Sequence, residues 1–263
     1  GHTYWQLLPQ KEYFDSHPEY YAQFDGKRQR VAQPVTTELC LTNRDMRKEL
    51  IRRASEWLRR NPENHHISIS QGDTFNYCEC TACREFVKAH GTPADLVLDM
   101  VNQVADALSG EFPDVLVDTF AYQYSQAPPK TVKPRPNVLV RLCSIRANFA
   151  LPLRSEGNRS VIGEDLRGWS KLTRELGLWN YVANYRRSIY PLPNIRHQAD
   201  DLRFFAENRV IWVFEQGENW TGKAGELVEL RAWLLGHLLW NPYLDQEALI
   251  DEFLAGFYGP AAP

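Results

Sequence analysis

Two carboxylates follow apolar segments at the points where predicted strands end. Glu215 comes directly after residues 210–214, and Asp73 lies in the polar loop that follows residues 67–70. A carboxylate at the end of an apolar strand is costly unless it is paired or used. Glycoside cleavage needs one group that protonates the leaving oxygen and a second that supports the developing positive charge. Glu215 and Asp73 are the best-placed candidates, although Asp73 also fits an ordinary turn; Glu218 is a weaker candidate.

The other side chains that follow predicted strands are amides, an arginine and aromatic rings. Amides and carboxylates bind hydroxyl groups, and aromatic rings cover the apolar C–H face of a sugar. Neither a histidine cluster nor a glycine-rich phosphate loop accompanies them. This mixture predicts an oligosaccharide or another polyhydroxylated ligand.

A C-x-C-x-x-C motif, made by Cys78, Cys80 and Cys83, lies beside the loop that carries Asp73. Such spacing can ligate zinc or form a disulfide. We expect a structural role of either kind, which would hold that loop in shape, and we assign no catalytic metal and no cofactor. A zinc site would need a fourth ligand that the fold brings close, for which the candidates are Cys40, Cys143 and His90.

Helix and strand patterns alternate around these residues. Asn43 can cap a helix that runs to residue 58, and Thr92-Pro93 can begin another that runs to residue 108, because apolar residues recur three and four apart in both. Further helices are predicted at 163–176, 194–208, 223–240 and 245–257. Six strands are predicted at 38–41, 67–70, 115–120, 138–142, 178–181 and 210–214, with a seventh if 4–8 is one.

Strands that alternate with helices indicate a parallel sheet, whose functional groups project from the carboxyl ends of the strands. We predict an α/β, TIM-like (β/α)8 barrel that lacks its first one or two βα units in this span. Residues 1–263 would be a single catalytic barrel domain, excised from a longer multidomain protein because the chain begins without Met or a signal peptide. The alternative is an open doubly wound sheet, weakened by the missing phosphate loop.

The composition is that of an ordinary globular protein, with 43% hydrophobic and 24% charged residues. The net charge of -3 argues against a nucleic-acid partner, because such partners usually require a basic surface. No apolar run approaches the roughly 18 residues that span a bilayer, so we expect no membrane insertion.

Strings along nearly the whole chain resemble a bacterial family known as domain of unknown function 4838, which overlaps glycoside hydrolase family 163. They keep the family's order. The Cys78–Cys83 motif is one of them. The others are HPEYYA at 17–22, DGKR at 25–28, LCLTN at 39–43, AYQY at 121–124, VRLCSI at 140–145, EDLRGW at 164–169, VFEQG at 213–217 and ELRAWL at 229–234.

The resemblance implies an endo-β-N-acetylglucosaminidase that cleaves complex N-glycans. It also implies flanking domains of the same polypeptide and a secreted, periplasmic or cell-surface location. Glu215 would be the acid/base, and Asp73 would polarise the substrate's own 2-acetamido group, which acts as the nucleophile. The side chains expected to line the cleft are Trp179, Tyr181, Tyr124, Asn148 and Arg146.

Two other functions fit the same residues. One is a glycosidase of this fold that acts on uronic-acid-containing or plant polysaccharide, because Arg146 and Arg186 could pair with a substrate carboxylate. The other is a glycan-binding module without catalytic activity.

Overall fold

The computed structural model describes residues 1–187, 190–217 and 225–262. Contacts divide the chain into two units. The first comprises Gly1–Cys143 and Lys171–Leu176, and the second comprises Ser144–Ser170 and Gly177–Pro263. Carboxylate candidates occur in both, since Asp73 belongs to the first unit and Glu215 to the second.

The first unit is built on three parallel strands, β1 (His66–Ser68), β2 (Leu116–Ala121) and β3 (Val138–Cys143). Strand β2 pairs with both of the others. Every residue of β3 is buried, and so are all but the first of β2. Burial along the whole strand is typical of a parallel sheet that is covered on both faces.

The longest helices of the first unit begin where capping residues predict. The side chain of Asn43 accepts a hydrogen bond from the Met46 N–H, and Thr92 forms a capping box with Asp95. Both predicted helices are therefore confirmed. The helices of this unit are α1 (Tyr4–Leu7), α2 (Gln10–Tyr13), α3 (Arg44–Arg60), α4 (Thr81–His90) and α5 (Pro93–Ser109), with 3-10 turns at Pro18–Tyr20, Pro34–Thr36 and Gln123–Ser125.

The second unit contains the parallel pair β4 (Leu176–Tyr181) and β5 (Trp212–Gln216). The first residue of β4, Leu176, belongs to the first unit. In this pair Asn180 lies opposite Glu215. Helices and short turns complete the unit: α6 (Glu164–Leu172), whose last two residues belong to the first unit, α7 (Gln198–Glu207), α8 (Val228–Trp240) and α9 (Gln246–Tyr258), a π turn at Arg159–Gly163, and 3-10 turns at Glu156–Asn158, Ile195–His197 and Gly259–Ala261.

The α/β class with parallel strands is confirmed, but the TIM-like (β/α)8 barrel is wrong. The described residues form five strands, fewer than predicted. Residues 38–41 make only an isolated bridge between Tyr21 and Leu39, and residues 4–8 begin as helix α1. A short apolar run predicts that its residues are buried, but it does not predict that they pair as a strand, because four residues are too few for their periodicity to distinguish between conformations. The single catalytic domain over residues 1–263 stays a prediction.

Other elements also differ from the sequence patterns. Helix α4 was not predicted, because the Cys motif gives its first turn no apolar period. Helix α8 begins at Val228, and residues 223–224 of the predicted helix lie outside the described residues, as does Glu218. Within the described ranges, every helix is too short or too polar to cross a bilayer.

Candidate functional site

Glu215 lies near the carboxyl end of β5, where the opposite residue of β4 holds its carboxyl group. Asn180 Nδ2 donates to Glu215 Oε2 at 2.9 Å. The other end of the same amide is also used, because Ser144 Oγ donates to Asn180 Oδ1 at 2.6 Å. This chain of hydrogen bonds fixes which end of the amide faces Glu215.

Burial raises the pKa of Glu215 to about 8, against the hydrogen bond from Asn180, which favours the charged form. The negative charge of Asp201 raises this pKa further. The Glu215 residue as a whole is half-buried and forms part of the walls of two hollows. The side chain is therefore protonated at neutral pH and can give a proton to a bound molecule.

A cavity of about 250 Å³ lies beside Glu215. Its described walls come from the segment after β4 and from helix α8, and they are mostly apolar. Besides Glu215, its charged lining residues are Arg231 and Glu226, which pair with each other at 2.5 Å, and Asn194 Oδ1 also accepts from Arg231 at 2.5 Å. The residues that shape the cavity include Val182, Ala183, Val228, Ala232 and Leu235.

A second, smaller hollow lies on the Asp201 side of Glu215, and Tyr181 is part of its wall. Asp201 is buried and accepts hydrogen bonds from the Leu153 N–H at 2.6 Å and from His197 Nδ1 at 3.1 Å. Burial raises the pKa of Asp201, and its contact with His197 opposes this shift. On this side, Glu215 therefore faces a small hollow whose wall includes the carboxyl group of Asp201.

Trp179 lies on the opposite face of the β4–β5 pair from Glu215. Its indole N–H donates to Gln216 Oε1 at 2.7 Å, and its ring meets the edge of Phe214 with ring centres 4.5 Å apart. Successive side chains of a strand point to opposite faces. The structure therefore separates Trp179 from Glu215, a distinction that depends on strand register. Tyr181, the last residue of β4, shares with Glu215 the wall of the smaller hollow.

Asn148 and Arg146, the two polar residues after β3 that were predicted to line the cleft, are both exposed. The Asn148 side chain accepts from the Ala150 N–H at 3.1 Å, which makes it part of a turn. Arg186, the other arginine considered for a substrate carboxylate, is exposed as well. None of the three lines either hollow beside Glu215 within the described residues.

Asp73, in the first unit, is exposed, and hydrogen bonds hold both its side chain and its backbone. The Tyr122 hydroxyl donates to Asp73 Oδ1 at 2.8 Å, and the Asp73 N–H donates to the Val35 carbonyl at 2.9 Å. Burial raises the pKa of Tyr122, and the hydrogen bond to Asp73 adds to this shift. Tyr122 is therefore a firm donor that orients one oxygen of Asp73.

Tyr124 contacts an acid that the sequence analysis missed. Its hydroxyl lies 3.3 Å from both carboxylate oxygens of Glu38, which is 3% exposed. Burial raises the pKa of Glu38 well above its usual range, although the Tyr124 hydrogen bond lowers it. The available signal was a carboxylate at the start of the apolar run 38–41, which was interpreted as the first residue of a strand.

The cysteine motif acquires a fourth neighbour in the structure. The sulfur atoms of Cys40, Cys78, Cys80 and Cys83 all lie within 4.8 Å of one another. The two other candidates for this position have different surroundings. Cys143 is buried in β3, and His90 stacks on Phe86.

These features define an α/β protein with an enclosed, protonated carboxyl group beside a cavity. The family model described as Domain of unknown function (DUF4838) matches residues 1–263. The chain therefore belongs to this family, which confirms that part of the prediction made from its sequence strings. The overlap with glycoside hydrolase family 163 stays a prediction. No curated protein matches the chain with significant similarity.

Proposed function

We propose that the chain is the catalytic part of a glycoside hydrolase in which Glu215 is the general acid. The observation that carries the proposal is the position of Glu215 at the wall of a cavity, where burial raises the pKa of its carboxyl group to about 8. A glycosidase acid has to hold its proton at the working pH until the leaving oxygen needs it. An ordinary surface glutamate is ionised at neutral pH and cannot do this.

The surroundings of Glu215 support this role. It lies near the carboxyl end of a parallel strand, where functional groups of such sheets collect. Asn180 holds its carboxyl group from one side at 2.9 Å, and the cavity of about 250 Å³ gives a ligand room beside it. Enclosure also strengthens electrostatic interactions with any ligand that displaces water from the cavity.

As the substrate, we propose a β-N-acetylglucosaminide in complex N-glycans, as for glycoside hydrolase family 163. The 2-acetamido oxygen of the sugar attacks C1 while Glu215 protonates the departing oxygen. Water then opens the cyclic intermediate, and Glu215 takes back a proton. Asp73 would polarise the acetamido N–H with the oxygen that Tyr122 leaves free. Such a substrate lies outside the cytoplasm, so we also propose a secreted, periplasmic or cell-surface location.

The test is to incubate the full-length protein with a panel of N-glycoproteins and polysaccharides and to measure released glycans. Glu215→Gln should lower the release rate by at least about 100-fold, because the amide cannot donate the acid proton. Glu229→Gln is the matched control, since Glu229 is exposed on α8 and should leave activity unchanged. Activity that survives in Glu215→Gln would remove Glu215 from its role.

Two other results would replace the proposal with one of its competitors. Glycans that bind to the protein without being cleaved would identify a binding module. Cleavage limited to uronic-acid-containing polysaccharide would identify a different glycosidase. Each result is obtained from the same panel when binding and product release are both recorded.

A further inference from the structure

Four sulfur atoms meet at one point in the first unit. Cys40 comes from the segment after the Tyr21–Leu39 bridge. Cys78 lies in the loop before helix α4, Cys80 is the N-cap of that helix, and Cys83 lies in its first turn. All four sulfur atoms lie within 4.8 Å of one another, and those of Cys40 and Cys80 are 3.6 Å apart. Segments that are distant in sequence therefore converge on a single volume.

We propose that these four cysteines bind one structural zinc ion. Four thiolates around zinc, each at about 2.3 Å, form a tetrahedron whose sulfur atoms are about 3.8 Å apart. The observed spacing is close to this geometry. A disulfide would bring two of the sulfurs to about 2.05 Å, whereas none of the four cysteines forms a disulfide in the structure. This inference does not depend on the proposed glycosidase activity.

Hydrogen-bond donors surround the sulfur cluster, as expected around zinc thiolates. The Gln23 N–H donates to Cys78 Sγ at 3.3 Å, and the Thr42 hydroxyl lies 3.2 Å from Cys83 Sγ. Arg28 reaches the sulfurs of Cys40 and Cys78 at 3.8 and 4.0 Å. Zinc neutralises only half the charge of four thiolates, so these donors and the guanidinium offset the remainder.

Arg28 is held in place for this task by a hydrogen bond to the Tyr21 carbonyl. The start of helix α4 contributes further positive potential, because Cys80 is its N-cap residue and Cys83 lies in its first turn. A guanidinium and a helix start thus lie against the same four sulfur atoms. Apolar packing alone would not require a cation and a helix start at the same cluster.

The ion would join segments that have little regular structure of their own. The Gln23 carbonyl accepts from the Glu79 N–H at 2.8 Å, and the Cys40 N–H donates to the Tyr20 carbonyl at 2.8 Å. The zinc site therefore ties the 20–28 segment, the 40–42 segment and the start of α4 together. The loop that carries Asp73 runs directly into this cluster and would depend on it for its shape.

The first test measures metal in the full-length protein, expressed with zinc in the medium and purified without chelator. We expect about one zinc ion per chain, measured by inductively coupled plasma mass spectrometry. Cys40→Ser should bind zinc at least about 100-fold more weakly in competition with a chromogenic chelator. Cys143→Ser is the matched control, because Cys143 lies outside the cluster, and it should keep the wild-type zinc content.

The second test needs no variant, so it holds even if Cys40→Ser fails to fold. Wild-type protein loaded with cobalt should show the charge-transfer and d–d absorption of a tetrahedral thiolate site. After chelation and denaturation without reductant, all five cysteines should react as free thiols. A metal-free protein with two or four thiols fewer would overturn the proposal in favour of disulfides, and iron in place of zinc would overturn the choice of ion.

Discussion

Asn180 donates to the carboxyl group of Glu215 from the directly opposite position on the neighbouring parallel strand, at 2.9 Å. Because Ser144 occupies the carbonyl end of the same amide, Asn180 can only present its N–H₂ group to Glu215. The amide favours the charged carboxylate, while burial and Asp201 favour the acid. The proton on Glu215 therefore depends on a balance that single substitutions can shift in either direction.

The first prediction concerns the pH dependence of catalysis. If Glu215 is the acid, kcat/KM should fall above pH 8, because its pKa is raised to about 8. Asn180→Ala removes a hydrogen bond that favours the carboxylate, so the alkaline limb should move up by about one pH unit. Asp201→Asn removes a negative charge and should move the limb down. The measurement is the pH profile of glycan release, and shifts of the same sign in both variants would contradict the assignment.

The second prediction concerns stability and does not require activity. The pKa of Glu215 rises from 4.5 to about 8 on folding. Its contribution to the free energy of unfolding is therefore complete below about pH 4.5 and is lost as the pH rises toward 8. Glu215→Gln does not titrate, so its stability should decline less over this interval, by up to about 1.4 kcal/mol per pH unit. Urea unfolding at pH 5 and pH 8 measures the difference, and equal declines in both proteins would refute the raised pKa.

The third prediction concerns Asp95, a buried carboxylate that organises a loop. Although burial raises its pKa, the N–H groups of Val132, Lys130 and Thr131 lower it to about 2 overall. The stability that Asp95 contributes is therefore present above about pH 4 and is lost as the pH falls toward 2. Asp95→Asn should destabilise the protein at pH 7 by roughly 2 kcal/mol.

Asp114→Asn provides the control for this experiment, because Asp114 is exposed. Thermal unfolding of both variants between pH 7 and pH 3 separates the two effects. The difference between wild type and Asp95→Asn should shrink as the pH approaches 3, whereas Asp114→Asn should follow wild type throughout. A difference that stays constant with pH would show that Asp95 acts through packing and not through its charge.

The fourth prediction tests the role of Tyr122 at Asp73. Removal of the hydroxyl in Tyr122→Phe releases the Asp73 oxygen that it holds at 2.8 Å. If Asp73 orients the substrate, kcat should fall by about 10-fold while KM changes less, because binding contacts elsewhere remain. Tyr13→Phe is the control, since Tyr13 belongs to the same unit and its hydroxyl donates to Glu49. Equal losses in both variants would point to a general effect on folding.

The sequence predicted helices and strands well where the residues that specify them lie within a single turn or a single strand. Asn43 and Thr92 each supply a side-chain acceptor at a helix start, and both helices begin where expected. The apolar run 38–41 misled the strand prediction because its burial comes from packing and not from pairing. For the same reason, Glu38 was not identified as a buried acid.

The sequence by itself determined the α/β class, the family, most helix and strand positions, and the two acids worth testing. Short-range physics is sufficient for these, because caps, periodicity and strings of residues are local properties. Only the tertiary structure decided that Asn180 faces Glu215, that Trp179 does not, and that Cys40 joins Cys78, Cys80 and Cys83. Strand register and the convergence of distant segments depend on long-range packing, and so does the burial that sets the pKa of Glu215.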